Sequence, residues 1–147
     1  TVKEELDCIR DYDRIISIRY ADRLKLSMDV DPEICGCRVL KMFLQPLVES
    51  IVNQSLKQTG NVVKVRIRGG KKGEELLFTV ESSESVGLSS EAINRALSEN
   101  PDGSPGNRLI VLQNIHRRLK LYYGGRCGLH IAGGPGEGIR ADVRMRL

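Results

Sequence analysis

Few side chains in this 147-residue sequence can do chemistry, and most of them stand apart from one another. Cys8, Cys35, Cys37 and Cys127 lack the C-x-x-C spacing of a zinc or redox site; the one close pair is Cys35-Gly36-Cys37, and both histidines lie far from it. The thiols read as reduced, buried or idle, in keeping with the rarity of disulfides in the cytosol. His116 falls within a helical pattern ahead of two arginines, and His130 alternates away from Leu129 and Ile131, so both read as surface groups with no partner to tune them. Ser82, Ser83 and Ser85 offer hydroxyls, but no histidine or aspartate stands at a spacing that would activate one, and a solvated loop explains them more simply. Oxygen-bearing side chains do gather on one helical stretch, at Glu49, Ser50 and Asn53. The last two are three residues apart and share a face.

One domain over residues 1–147, without an internal linker, must position these groups, because a chain of this length supports a single sizeable core. The net charge of +4 comes from 23 basic and 19 acidic residues scattered along the chain. Such mild basicity suits a phosphate-bearing ligand or a nucleic acid without selecting either. Two phenylalanines, four tyrosines and no tryptophan leave no basic-aromatic platform for stacking single strands. No run approaches the roughly 18–20 apolar residues of a membrane span and no signal peptide is visible. The chain reads as cytosolic, or as cut from a longer membrane protein.

Apolar spacing at Val2, Leu6, Ile9, Ile15, Ile16 and Tyr20 predicts a leading helix over 2–21, with Lys3, Glu4 and Glu5 in a polar first turn. Leu24, Leu26, Met28 and Val30 alternate with polar residues as far as Pro32, a half-buried strand. Helical spacing resumes from Val39 to Lys57, with Pro46 marking a first turn, kink or break. Val63–Ile67 and Leu76–Val80 alternate around Gly69-Gly70-Lys71-Lys72-Gly73, a hairpin with a glycine-rich turn. Ser89 or Ser90 caps a helix over 90–98, and Asn100–Asn107, rich in proline and glycine, reads as a mobile loop. A helix over 108–123 stops at Gly124-Gly125, and a second hairpin turns at Gly133–Gly138. Arg140, Arg144 and Arg146 share its last strand face with Asp142, which a solvated sheet face explains better than a nucleic-acid surface. Strands with one apolar face and segregated helices predict an α+β fold, a two-layer α/β sandwich with a mixed, mostly antiparallel sheet covered on one face by helices.

The stretch Phe43–Leu56, with Leu44-Gln45-Pro46-Leu47-Val48-Glu49-Ser50, resembles the N box L-Q-P-L-V-E-N-A-I-K-H-G of sensor histidine kinases of the LytS/YesM type. Ile18-Arg19-Tyr20-Ala21-Asp22-Arg23-Leu24 is similar to the family phrase I-R-F-G-D-R-L. Leu112-Gln113-Asn114-Ile115-His116-Arg117-Arg118-Leu119-Lys120-Leu121-Tyr122-Tyr123-Gly124 is similar to G-L-x-N-I-x-x-R-L-x-L-x-Y-G. The resemblance spans nearly the whole chain and implies the ATP-binding catalytic domain of such a kinase, in the Bergerat or GHKL fold. It implies ATP and Mg²⁺ as cofactors and phosphoryl transfer to a histidine on an upstream dimerisation domain, reached through the helix at 1–21. A response regulator as partner, a homodimeric full-length protein, no nucleic acid, and a cytoplasmic place in a membrane-anchored bacterial receptor follow from the same likeness. With the phosphoaccepting histidine upstream, this chain alone is not expected to autophosphorylate.

Carried over residue by residue, the resemblance implies Glu49 as the catalytic carboxylate. Ser50, Asn53, Gly87, Asn114, Arg118, Gly136 and Gly138 become nucleotide-binding positions, with Ser50 at the metal position. Several of these depart from the family pattern. Ser50 replaces the asparagine that carries Mg²⁺, and a hydroxyl is a shorter, weaker ligand for an ion that demands octahedral oxygens at about 2.0–2.1 Å. Asn53-Gln54-Ser55 replaces K-H-G. The D-x-G-x-G motif, whose aspartate accepts from the adenine amine, reads Glu81-Ser82-Ser83-Glu84-Ser85-Val86-Gly87-Leu88, with Gly87 alone matching and no aspartate in any register. Val111 replaces a glycine, the lid glycines are reduced to Gly103 and Gly106, and Ile139 stands where threonine is customary. The expectation is a histidine-kinase catalytic domain with impaired nucleotide binding; the alternative is a pseudokinase, an interaction module that keeps the fold without ATP.

Overall fold

Thr1 opens the first helix, α1 (Val2–Arg19), through a capping box: its hydroxyl accepts the Glu4 N–H while the Glu4 carboxylate accepts from the Thr1 amine. The structure, a computed structural model, describes residues 1–99, 107–134 and 136–147. After α1 come β1 (Leu24–Val30), a 3₁₀ turn (Pro32–Ile34), α2 (Leu44–Gln58), β2 (Val63–Lys72) and β3 (Glu75–Ser82). Then follow α3 (Ser90–Leu97), α4 (Ile110–Tyr123), β4 (Gly128–Gly134) and β5 (Gly138–Arg146). The strands lie in the order β1-β2-β3-β5-β4, with β1 parallel to β2 and all other neighbours antiparallel. This is the mixed, mostly antiparallel sheet of the expected two-layer α+β sandwich.

The period-two pattern decides which face is covered. Val65, Ile67, Phe78, Val80, Ile131, Val143 and Met145 are buried beneath the helices, and Phe43 ahead of α2 meets Phe78 edge-on at 5.4 Å between ring centroids. The alternate residues form an open face of paired charges. Arg66 meets Asp29 at 2.9 Å, Arg68 meets Glu81 at 2.7 Å, Arg140 meets Asp142 at 3.0 Å, Arg144 meets Glu75 at 3.5 Å and Arg146 meets Glu74 at 3.2 Å. The arginines of the last strand are thus all matched by carboxylates, which suits a solvated sheet face.

Three sequence expectations need correction. The second helix begins at Leu44 rather than Val39, because Pro46 has no N–H to give and is tolerated only in a first turn; Met42 just before it takes a positive φ of 58°. The first hairpin turns at Gly73-Glu74 rather than across Gly69–Gly73. Gly69 belongs to β2 opposite Phe78, where a Cβ would come within 2.7 Å of that ring. Glu5, read as part of a polar first turn, is 5% exposed. The Asn100–Asn107 loop, with Gly103 and Gly106, falls outside the described residues apart from Asn107.

The burial of Glu5 has a clear cause. Its carboxylate accepts the backbone N–H of Met42 at 2.7 Å, Phe43 at 3.2 Å and Leu44 at 3.0 Å, so a charge from α1 caps the start of α2, which has no cap of its own. At the other end of α2, Arg23 Nη2 donates to the carbonyls of Leu56 at 3.1 Å and Thr59 at 2.6 Å. Both charges match the helix dipole. Removing the Glu5 carboxylate strands several N–H groups away from water, so Glu5→Ala is expected to cost about 3 kcal/mol in urea unfolding, and Glu5→Gln, which keeps one acceptor, about half as much. Equal costs for both variants would show that the charge and not the acceptor matters.

Candidate functional site

One face of α2 and the beginning of α4 enclose a cleft of about 300 Å³. Pro46, Glu49, Ser50, Asn53, Gln54, Lys57 and Gln58 line it from α2, and Arg108 and Val111 close it from the α4 side. Positions 46, 50, 53 and 57 are four, three and four residues apart, so a single helical face forms the wall. The structure therefore brings Glu49, Ser50 and Asn53 together. Lys57, Gln58 and Arg108 were missed in the sequence, although the same spacing that joins Ser50 to Asn53 leads on to Lys57.

Within the cleft the side chains are tied to one another. Gln45 Nε2 donates to Glu49 Oε1 at 2.7 Å, and Gln54 Nε2 donates to Ser50 Oγ and to the Arg108 carbonyl, both at 3.3 Å. Gln54 Oε1 is buried without a partner among the described residues. Glu49 also acts on α1: burial first, and the Glu49 charge second, push the Tyr12 phenol up to about 12. These groups fit a divalent ion poorly. Ser50 offers a hydroxyl already bonded to Gln54 where the family pattern has an asparagine, and among the described residues no three acidic, histidine or cysteine side chains could hold a metal by themselves.

Behind α2, the inward alternation Leu76, Phe78, Val80 along β3 ends at Ser82, which is 5% exposed and pairs with Ile139 on β5. The inward group at the end of β3 is therefore a hydroxyl. Ser82 Oγ lies 2.9 Å from Oγ of Ser55 on α2, Ser55 reaches the Glu84 carbonyl at 3.4 Å, and the Glu84 N–H donates to Ser82 Oγ at 3.3 Å. Glu81 cannot supply a carboxylate here, because it sits on the open face against Arg68.

The other positions singled out in the sequence lie around this core of the site. Gly87, at φ 76°, abuts Gln58, whose amide would be 2.7 Å from an added Cβ. Gly138 backs onto Ser82, where a Cβ would come within 2.3 Å of the Ser82 carbonyl at a φ of 75°, so glycine is needed for the chain to pass. Gly136 is an exposed turn residue with open space around it, and Asn114 is exposed on α4 outside the cleft lining. Arg118 also lies outside the lining. Its guanidinium donates to the carbonyls of Lys41 and Met42, and Tyr123 Oη accepts the Leu40 N–H at 2.8 Å.

His130 is exposed as expected, but His116 is half-buried. Its Nδ1 lies 3.1 Å from the Leu129 N and 3.0 Å from the Leu129 carbonyl, while the Asn94 amide brackets Ile131 through both N–H and C=O at 2.9 and 2.7 Å. Together they cover the outer edge of β4. Burial is the main influence holding His116 below its ordinary value of 6.5, with the Leu129 contact pulling the other way. The folded state thus prefers neutral imidazole, so its contribution is complete above pH 6.5 and is lost as pH falls below it. Thermal unfolding between pH 7.5 and 5.5 is expected to show a fall in Tm that is shallower in His116→Asn; an equally steep fall in the variant would assign the pH dependence to other groups.

No protein-family model matches the chain. It is 31% identical to the sensor histidine kinase YesM of Bacillus subtilis over 99% of its own length and 23% of that protein's. It is 32% identical to the sensor histidine kinase YpdA of Escherichia coli over 88% of its length and 22% of that protein's. The chain thus spans less than a quarter of either relative. In three dimensions it is similar to the catalytic domain of histidine kinase ThkA, solved nucleotide-free, with a TM-score of 0.68 at 11% identity, covering 97% of this chain and 91% of the other. The same kinase in complex with the response regulator TrrA gives a TM-score of 0.67 at 13% identity, over 99% of this chain and 40% of that one.

Proposed function

The chain belongs to the family of sensor-histidine-kinase catalytic domains, and from that premise we propose that it is the ATP-binding domain of a two-component receptor in which Mg-ATP is held weakly. The observation that carries the weakness is the Ser55–Ser82 hydroxyl pair, standing at the inward end of β3 where the family motif would put its adenine-reading aspartate. The engaged hydroxyl of Ser50, and Val111 in the cleft wall, support the same reading from the metal and phosphate side. In the intact protein, residues 1–21 would lead to an upstream dimerisation domain bearing the phosphoaccepting histidine, with Glu49 as the carboxylate nearest the transfer.

The remaining assignments follow the relatives. A response regulator would receive the phosphoryl group, as the ThkA–TrrA complex suggests by likeness of fold, and the full-length protein would be a homodimer with this domain on the cytoplasmic side of a membrane anchor. No helix among the described residues is long and apolar enough to cross a membrane. A second reading, an interaction module that binds no nucleotide, is favoured by α1, which exposes Ile15 at 69% and Ile18 at 87%.

Calorimetric titration with ATP, with and without Mg²⁺, tests the reading. Dissociation constants in the millimolar range or weaker are expected, with little gain from Mg²⁺. Paired Ser55→Gly and Ser82→Asp substitutions are expected to tighten binding about tenfold, the effect of one good charge-assisted hydrogen bond. Micromolar, Mg²⁺-dependent binding by the unaltered chain, abolished by Glu49→Ala, would overturn the proposal.

A further inference from the structure

We infer that, whatever the cleft binds, the free edge of β1 pairs with the same edge of a second copy of this chain, antiparallel about a two-fold axis at Ser27. β1 is an end strand of the sheet, with β2 on one side and no strand on the other. The Arg23 carbonyl accepts the Val63 N–H at 2.8 Å and the Asp31 N–H donates to the Gly69 carbonyl at 3.0 Å, so the odd-numbered residues turn their backbone groups toward β2. By strand alternation Leu24, Leu26, Met28 and Val30 turn theirs outward, where no group among the described residues meets them. The opposite edge of the sheet differs. There Asn94 and His116 occupy the backbone groups of Ile131 and Leu129.

Taken in opposite directions, Leu24-Lys25-Leu26-Ser27-Met28-Asp29-Val30 complements itself. With Ser27 facing its own copy, Leu24 faces Val30 and Leu26 faces Met28 on the helix side, while Lys25 faces Asp29 on the open side. The outward-turned residues then fall at hydrogen-bonded positions. Lys25, Ser27 and Asp29 fall at the non-hydrogen-bonded ones, where facing side chains stand closest. This register overlaps all seven residues of the strand and places a Lys25–Asp29 pair on either side of the axis.

Within one chain Lys25 lacks a counter-charge. It stands directly opposite Lys64 of β2, a repulsive placement, and forms no ion pair among the described residues. Charged side chains commonly guard an edge strand against pairing; here opposite signs equally far from Ser27 attract this one antiparallel mate. Leu26, Met28 and Val30 are only half-buried, so an added strand covers more of each. Two such strands fall short of the roughly 1,200–2,000 Å² of stable interfaces, which sets a dissociation constant of about 0.1–1 mM for the chain alone. The pair closes on itself, because each copy spends its one open edge.

Sedimentation equilibrium of the chain from about 20 µM to about 2 mM tests this, and a monomer–dimer equilibrium is expected. Lys25→Glu or Asp29→Lys alone sets like charges face to face on both sides of the axis and should weaken the dimer about tenfold, whereas the double variant should return to within about threefold of the unaltered chain. Both positions are exposed, and circular dichroism melts identify folded variants. A second test uses a background carrying Cys8→Ser, Cys35→Ser and Cys37→Ser. There Ser27→Cys should form a disulfide-linked dimer with glutathione disulfide as oxidant, and Lys25→Cys, whose copies stand about 13 Å apart in this register, should not. A monomer throughout, growth beyond dimers, a dimer indifferent to the single reversals or not restored by the double variant, or equal cross-linking at both positions would overturn the inference. None of these measurements involves nucleotide, so their failure leaves weak Mg-ATP binding standing.

Discussion

The bracketing of α2 by Glu5 at one end and Arg23 at the other is the constraint on which the site depends. Like any helix, α2 starts with several N–H groups unmatched, one fewer because Pro46 lies in its first turn, and nothing in its own sequence caps them. The carboxylate from α1 does so. The segment Leu40–Phe43 is then held from the far side by Arg118 and Tyr123 of α4, so the entry into α2 is clasped between the first and last helices. Because Glu49, Ser50, Asn53 and Lys57 all project from one face of α2, the rotation of that helix sets the whole cleft wall.

The same arrangement explains which parts of the sequence were legible. Alternating strands and helical stripes gave the two-layer sandwich, since periods of two and near four report burial directly. The phrase Asp22-Arg23-Leu24 was visible as a family likeness, but its physical reason, Arg23 reaching the carbonyls of Leu56 and Thr59, needs contacts more than thirty residues apart. Glu5 lies three residues after Val2 and four before Ile9, on the buried face, yet its type reads as solvent-loving; only the unmatched N–H groups of a distant helix make its burial sensible. Likewise Gly69 reads as a turn until Phe78 is seen across the ladder, and Ser82 is one serine among several until the strand's inward alternation reaches it.

Charge divides between the two layers in a way composition alone conceals. The arginines of β2 and β5 stand beside carboxylates on the open face, where exposed pairs contribute at most about 1 kcal/mol each and leave little net field. Lys57 and Arg108, both exposed, line the cleft between α2 and α4.

The hydroxyl pair at Ser55 and Ser82 closes the end of β3 without a buried charge. A carboxylate buried at the end of β3 needs donors, and when a ligand is what supplies them, the empty state carries the cost of an unpaired buried charge. Two hydroxyls facing each other at 2.9 Å satisfy one another, and Glu84 contributes both a carbonyl and an N–H to the same cluster. Gly138 lets β5 pass close behind Ser82, so the cluster is sealed from that side as well. The region behind α2 thus closes on its own hydrogen bonds.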